Sequence, residues 1–257
     1  MRRHLKWYLP VLTGILILGL WIGVKDAFAI RNFVLPSPGK IAHAAVTEHR
    51  ALLSAGLRTL GGASVGFLAA TIVGFLMSVV MGMSLSFRLS LYPYILILQM
   101  TPILIFAPVI VIWLGPGLPA VTVITFIICL FPIVANTTQG LISVDLNSVD
   151  LFRMINASRF QEVRLLRVPY ALPYFLTGLR IAGSIAMIGG TTGDIFAGDA
   201  AGGIGYLVLV YEGQLKIPEL WAAGFTACLC GFVFITIVLG LNWLLLHKWH
   251  DSIIKIE

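Results

Sequence analysis

Charge is scarce in this sequence of 257 residues. Only 11% of the residues are charged and the mean hydropathy is +0.98, whereas soluble domains carry about 25% charged residues. No charged residue or histidine occurs from residue 89 to 144, or from residue 220 to 246. This composition excludes a soluble globular protein and indicates an integral membrane protein.

Several chemical signatures are also absent. The three cysteines, Cys129, Cys228 and Cys230, have no disulfide or zinc spacing. No G-x-x-x-x-G-K-[ST] loop occurs, so the chain is not expected to bind ATP by that route. Asp194 is the one carboxylate well inside a predicted span, which disfavours an intramembrane aspartyl protease and a proton relay. We predict no catalytic residue, no bound cofactor and no metal site.

The long uncharged run from residue 89 to 144 fixes the number of crossings. Its 56 residues would form a helix of about 84 Å, against a hydrocarbon core of about 30 Å. It must cross twice, with the turn at Gly115-Pro116-Gly117-Leu118-Pro119. We predict an all-α integral membrane protein with six transmembrane helices, at residues 7–24, 59–84, 91–114, 118–141, 175–197 and 220–246.

One domain, residues 1–257, is expected. Residues 1–58 hold the first span and an outer segment, and residues 59–246 hold the core spans. The outer segment from Pro36 reads either as an amphipathic interfacial helix or as a simple connector. Arg2-Arg3, the apolar run and Ala27-Phe28-Ala29 resemble a signal peptide, but the run of 18 residues is long, so an uncleaved helix is predicted.

The distribution of Lys and Arg predicts the orientation. Ten of them fall on the side that holds both termini and residues 145–173, and five fall in the opposite loops. We therefore expect a multi-pass protein of the plasma (inner) membrane with both termini cytoplasmic. Because topology already explains the positive charge, no nucleic-acid partner is expected.

Two spans carry further signals. Small residues recur at every fourth position of the second span, which predicts close helix packing: Gly62, Gly66, Ala70, Gly74, Ser78 and Gly82. Pro102 and Pro108 predict a kinked third span beside the bundle interior or a cavity.

The polar residues inside the spans suggest a substrate pathway. Its predicted lining is Gln99, Thr101, Pro102, Thr191, Thr192 and Asp194. For Asp194, solvation near the end of its span is an equally good reading. No basic residue is expected near the midplane.

Residues 145–173 form a charged, helix-forming island between uncharged runs, with four arginines. The spacing Asp150-Leu151-Phe152, x3, Asn156, x9, Leu166, x, Val168-Pro169 resembles the EAA-x3-G-x9-I-x-L-P loop of ABC importer permeases. The run from Asn156 to Gln161, NASRFQ, resembles the GASRWQ of the nitrate, sulfonate, taurine and bicarbonate branch. Asn stands where the motif has Gly, and Asn tolerates a left-handed turn.

The resemblance implies a type I importer bundle in which the island is a cytoplasmic coupling loop that docks on an ATPase. The implied coupling residues are Asp150, Phe152, Arg153, Asn156, Ala157, Ser158, Arg159, Phe160, Arg164 and Pro169. Asp150 is expected near a helix N-terminus, with Phe152, Ile155 and Phe160 as apolar anchors. The alternative is a basic helix lying on anionic lipid.

The resemblance also implies the partners and the cargo. The partners are an ABC ATPase dimer that holds ATP and Mg, a second permease copy in a homodimer, and an extracytoplasmic substrate-binding protein. The cargo is an anion of the nitrate, sulfonate, taurine or bicarbonate kind, or alternatively a neutral heteroaromatic such as a thiamine precursor or riboflavin. A stand-alone secondary carrier and a membrane scaffold are the other classes considered.

Overall fold

The computed structural model describes the backbone of residues 2–198 and 202–246. Lys248 and Lys255, which entered the orientation count, lie outside the described residues. The helices are α1 Arg2–Ala27, α2 Pro38–Thr47, α3 His49–Met83, α4 Leu85–Met100, α5 Ile103–Leu114, α6 Leu118–Ile142, α7 Leu146–Met154, α8 Arg159–Glu162, a π-helical turn Val163–Arg167, α9 Val168–Ala197, α10 Ile204–Gly213 and α11 Ile217–Leu246.

Five of the described helices are long and apolar enough to cross a membrane unaided. They are α1, α3, α6, α9 with its preceding turns, and α11. The third predicted span is instead a broken pair, because α4 and α5 meet at Thr101-Pro102 with a bend of 100°. The kink predicted from Pro102 is therefore confirmed, whereas Pro108 lies inside α5.

The packing of α3 on α6 shows that the broken pair crosses the membrane. A Cβ on Gly62 would lie 2.6 Å from Val121, and a Cβ on Gly82 would lie 3.0 Å from Leu141. Both helices therefore run in the same direction, so α4 and α5 must return the chain from one face to the other. The six predicted crossings are confirmed on this argument.

The small residues at every fourth position of α3 also pack closely, as predicted. A Cβ added to Gly66 would lie only 2.6 Å from the Thr122 carbonyl oxygen, and Ser78 Oγ lies 3.2 Å from the Val134 carbonyl oxygen. Such close approach gives two transmembrane helices extensive van der Waals contact. The central layer of the bundle is thus α3, α6 and α9, with α11 packed on α9.

Short helices close the end of the bundle opposite the island. Of the two interpretations of the segment after Pro36, a helix or a connector, the structure has the helix: α2 begins at Pro38 after the N-cap Ser37. Its buried Ile41 and Ala44 pack in a cluster that includes Tyr211 of α10. Burial and the nearby Glu48 carboxylate raise the pKa of Tyr211. This outer layer positions α10 against the first turns of α3.

Candidate functional site

The island folds as two short helices around a left-handed residue. Helix α7 ends at Met154, and Asn156 takes φ +54°, the conformation predicted for the Asn in the glycine position of the motif. Ser158 then caps α8, because its Oγ accepts from the Gln161 backbone and the Gln161 side chain accepts from the Ser158 N–H. Ala157 is held in the turn by a 3.0 Å bond to the Phe152 carbonyl.

The position predicted for Asp150 is wrong. Asp145 is the N-cap of α7, and Asp150 lies in the middle of the helix. There its carboxylate accepts a 3.2 Å hydrogen bond from Arg153 one turn later, and both side chains are exposed. The motif spacing located the helix but not its first residue, although Asp145 is a residue type that is strongly preferred at an N-cap.

An apolar surface on the island is open to a partner. Of the predicted anchors, Ile155 and Phe160 are 66% and 64% exposed, whereas Phe152 is half-buried. Leu151 and Met154 are also exposed, at 58% and 80%. Neither residue was among the predicted anchors, although their i, i+3, i+4 spacing with Ile155 is the pattern of a helix face. We call Leu151, Met154, Ile155 and Phe160 the apolar face of the island.

Two arginines of the island contact backbone carbonyls at the ends of the central helices α3 and α6. Arg167 donates from Nε to Glu162 Oε1 at 2.7 Å and from Nη1 to the Leu141 carbonyl oxygen at 3.0 Å. Arg159 Nη1 lies 3.5 Å from the Met83 carbonyl oxygen. Arg167 was not among the predicted coupling residues. Arg164 is exposed, and Pro169 lies in the first turn of α9.

The break of the third crossing borders a cavity of about 370 Å³. Gln99 and Thr101 line it, as does Asn136 of α6, which was not predicted. The Asn136 amide donates to the Pro132 carbonyl at 2.7 Å, which leaves its oxygen as an acceptor. The other described lining residues are apolar. Part of the predicted pathway set is thus brought together beside Pro102.

The remaining predicted pathway residues lie on α9, away from this cavity. Thr191 is on its partly exposed face, whereas Thr192 and Asp194 are buried, Asp194 to 1% exposure. Thr59 of α3 donates to Asp194 at 2.6 Å and accepts from the Ile204 N–H at 2.9 Å. Asp194 therefore joins α3, α9 and the start of α10. Its place on a substrate pathway stays a prediction.

Comparison of the sequence with known proteins agrees with this architecture. Residues 66–251 match the family described as "Binding-protein-dependent transport system inner membrane component". The chain is 32% identical to the riboflavin transport system permease protein of Chloroflexus aurantiacus over 95% of this chain and 90% of that protein.

Two further relatives are named for different cargoes. The formylaminopyrimidine transport permease protein of Halalkalibacterium halodurans is 29% identical over 91% of this chain and 92% of its own. The putative aliphatic sulfonates transport permease protein of Bacillus subtilis is 24% identical over 81% of this chain and 75% of its own.

Proposed function

This chain belongs to the family of inner membrane components of binding-protein-dependent transport systems, the ABC importer permeases, and we propose that it carries a small solute delivered by a binding protein across the membrane. The observation that carries the proposal is the island, with its exposed apolar face and its arginine links to α3 and α6. A lipid-bound basic helix would account for the arginines but not for these links.

The links give a mechanical route from the island to the spans. Arg159 to Ala197 is one uninterrupted helical segment that includes α8, the π-helical turn and α9. A partner that moves the apolar face of the island would therefore move α9, and the contacts to Leu141 and Met83 would pass the displacement to α6 and α3. Packed helices change position as units, so a small movement can switch the bundle between two states.

The proposed partners follow from the family. An ABC ATPase dimer, holding ATP and Mg, would dock on the cytoplasmic island, and an extracytoplasmic binding protein would deliver the solute. A second copy of this chain would complete the pathway. The Lys and Arg count supports cytoplasmic termini.

The cargo that we propose is a small anion of the nitrate, sulfonate, taurine or bicarbonate kind. The name of the Bacillus subtilis relative favours it. A neutral heteroaromatic solute is the second candidate, favoured by the names of the riboflavin and formylaminopyrimidine relatives, which match more of the chain.

Co-purification tests the docking step. Ile155→Asp places a carboxylate on the apolar face of the island, so the co-expressed cognate ATPase should no longer purify with the permease. Leu146→Asp is the matched control, because Leu146 is exposed on α7 about half a turn around the helix from Ile155. A permease that retains its ATPase after Ile155→Asp, or that never binds one, would contradict the proposal.

A further inference from the structure

Arg180 lies at the middle of the bundle. On α9, Gly178 packs against Pro132 and Ile133 of α6, and the Cys129 thiol lies 3.5 Å from the Ala182 carbonyl oxygen. Arg180 is therefore level with residues 129–133, the centre of the 25-residue helix α6. The sequence-based expectation that no basic residue lies near the midplane is wrong.

The Arg180 side chain has no protein partner within the part of the chain that the structure describes. It is exposed at the surface of the chain and makes neither a hydrogen bond nor an ion pair there. From the centre of a core about 30 Å thick, the headgroups are about 15 Å away, too far for the side chain to reach. An arginine facing hydrocarbon at this depth is strongly unfavourable, so this face should border water.

The neighbouring side chains also suit water. Thr177, Ser184 and Thr191 lie on the same side of α9 as Arg180 and are exposed or half-buried. Their hydroxyls bond back to carbonyls of their own helix at 2.8–2.9 Å, which leaves oxygen lone pairs free. We call Thr177, Arg180, Ser184 and Thr191 the polar face of α9.

Another surface of the bundle has the opposite character. Leu68 and Ile72 of α3 are 57% and 61% exposed, and Phe232 of α11 is 68% exposed. Such side chains are suited to lipid. The polar face of α9 differs from these positions in its hydroxyl and guanidinium groups, although Ile181 and Ile188 are exposed beside it, at 44% and 59%.

We propose that the polar face of α9 lines the water-filled substrate pathway, and that Arg180 binds an oxyanion group of the cargo there. This deepens the proposed function and rests on it. The free guanidinium offers paired N–H donors that match two oxygens of a sulfonate, nitrate or carboxylate. Asp194 does not compete for Arg180, since it is buried and occupied by Thr59.

Thiol labelling in membranes tests the inference. In a chain with Cys129, Cys228 and Cys230 replaced, Ser184→Cys is exposed to two methanethiosulfonate reagents, one with an anionic sulfonate and one with a cationic trimethylammonium group. Both should react at Ser184→Cys. The lipid-facing control Leu68→Cys should react with neither.

The ratio of the two labelling rates reports the field of Arg180. Arg180→Gln should lower the anionic-to-cationic ratio at Ser184→Cys about tenfold, because a charge within about 10 Å acts strongly at low effective dielectric. Arg180→Lys should preserve the ratio. An unchanged ratio in Arg180→Gln, or a Ser184→Cys as unreactive as Leu68→Cys, would overturn the inference.

A second comparison keeps Arg180 in place, in case its replacement prevents insertion. Thr191→Cys lies eleven residues from Arg180, about 16 Å along the helix, whereas Ser184→Cys lies about 6 Å away. The preference for the anionic reagent should therefore be greater at Ser184→Cys, and equal ratios would count against the inference. Because labelling needs no ATPase, its failure is distinguishable from failure of ATPase docking.

Discussion

Arg167 donates to the carbonyl oxygen of Leu141 across 3.0 Å and thereby joins the start of α9 to the end of α6. The bond satisfies one of the carbonyls that the last turn of a helix leaves free, and a cation there is favourable. Glu162 holds the same guanidinium from the other side, and both charged side chains are largely buried, at 20% and 17% exposure. This contact makes Arg167 the central positioning residue of the proposed coupling route.

Arg167→Gln should uncouple ATP hydrolysis from transport. The variant removes a charge-assisted bond worth about 1.5–3 kcal/mol and leaves Glu162 without its partner. We expect the ATPase to remain bound while the solute transported per ATP falls severalfold in proteoliposomes. Arg88→Gln is the control, because Arg88 lies near the same end of the bundle, in the first turn of α4, and is not among the predicted coupling residues. Equal coupling in the two variants would refute this role.

Asn156 should accept glycine but not a β-branched residue. At φ +54° a side chain without local hydrogen bonding costs about 1–2 kcal/mol. Asn156→Gly should therefore leave thermal stability and ATPase binding nearly unchanged, whereas Asn156→Val should weaken both. The measurement is a thermal unfolding curve together with co-purification. If valine were tolerated as well as glycine, the turn would not depend on this conformation.

Gly66 should not tolerate even a methyl group. A Cβ there would lie 2.6 Å from the Thr122 carbonyl and 2.7 Å from Thr125, so α3 and α6 would have to separate. Gly66→Ala should lower the unfolding temperature of the purified protein. Gly61→Ala is the matched control, because a Cβ at Gly61 has nothing within 4 Å. A Gly66→Ala protein as stable as Gly61→Ala would show that the contact is not tight.

Asp194→Asn should lower the thermal stability of the protein, because Asp194 joins α3, α9 and the start of α10. The substitution weakens the 2.6 Å bond from Thr59 and the anchoring of α10, at a cost of about 1–3 kcal/mol. Thr59→Val should produce a similar loss of thermal stability. If Asp194→Asn instead left stability unchanged and abolished transport, Asp194 would belong to the pathway.

The sequence predicted what depends on hydrophobic length and on the resemblance to the permease loop. Hydrophobic length located six crossings, and the resemblance placed the left-handed turn at Asn156, a residue type that tolerates this conformation. The small residues of α3 predicted a close contact but not its partner α6.

Other features depend on the tertiary arrangement. The angle of the break at Thr101-Pro102, the burial of Asp194 and the depth of Arg180 appear only when helices are placed side by side. Arg164 and Arg167 are both arginines of the island, and the sequence does not distinguish their roles. Only the structure shows that Arg167 donates to the Leu141 carbonyl oxygen.

ATP-driven uptake tests the central claim most directly. The permease is reconstituted with its cognate ATPase. The solute used is the one found bound to the cognate binding protein, and it is supplied together with that protein. The account predicts uptake that requires ATP on the side of the ATPase, persists in Leu146→Asp and is lost in Ile155→Asp. Uptake that proceeds without ATP, or that is undiminished in Ile155→Asp, would contradict it.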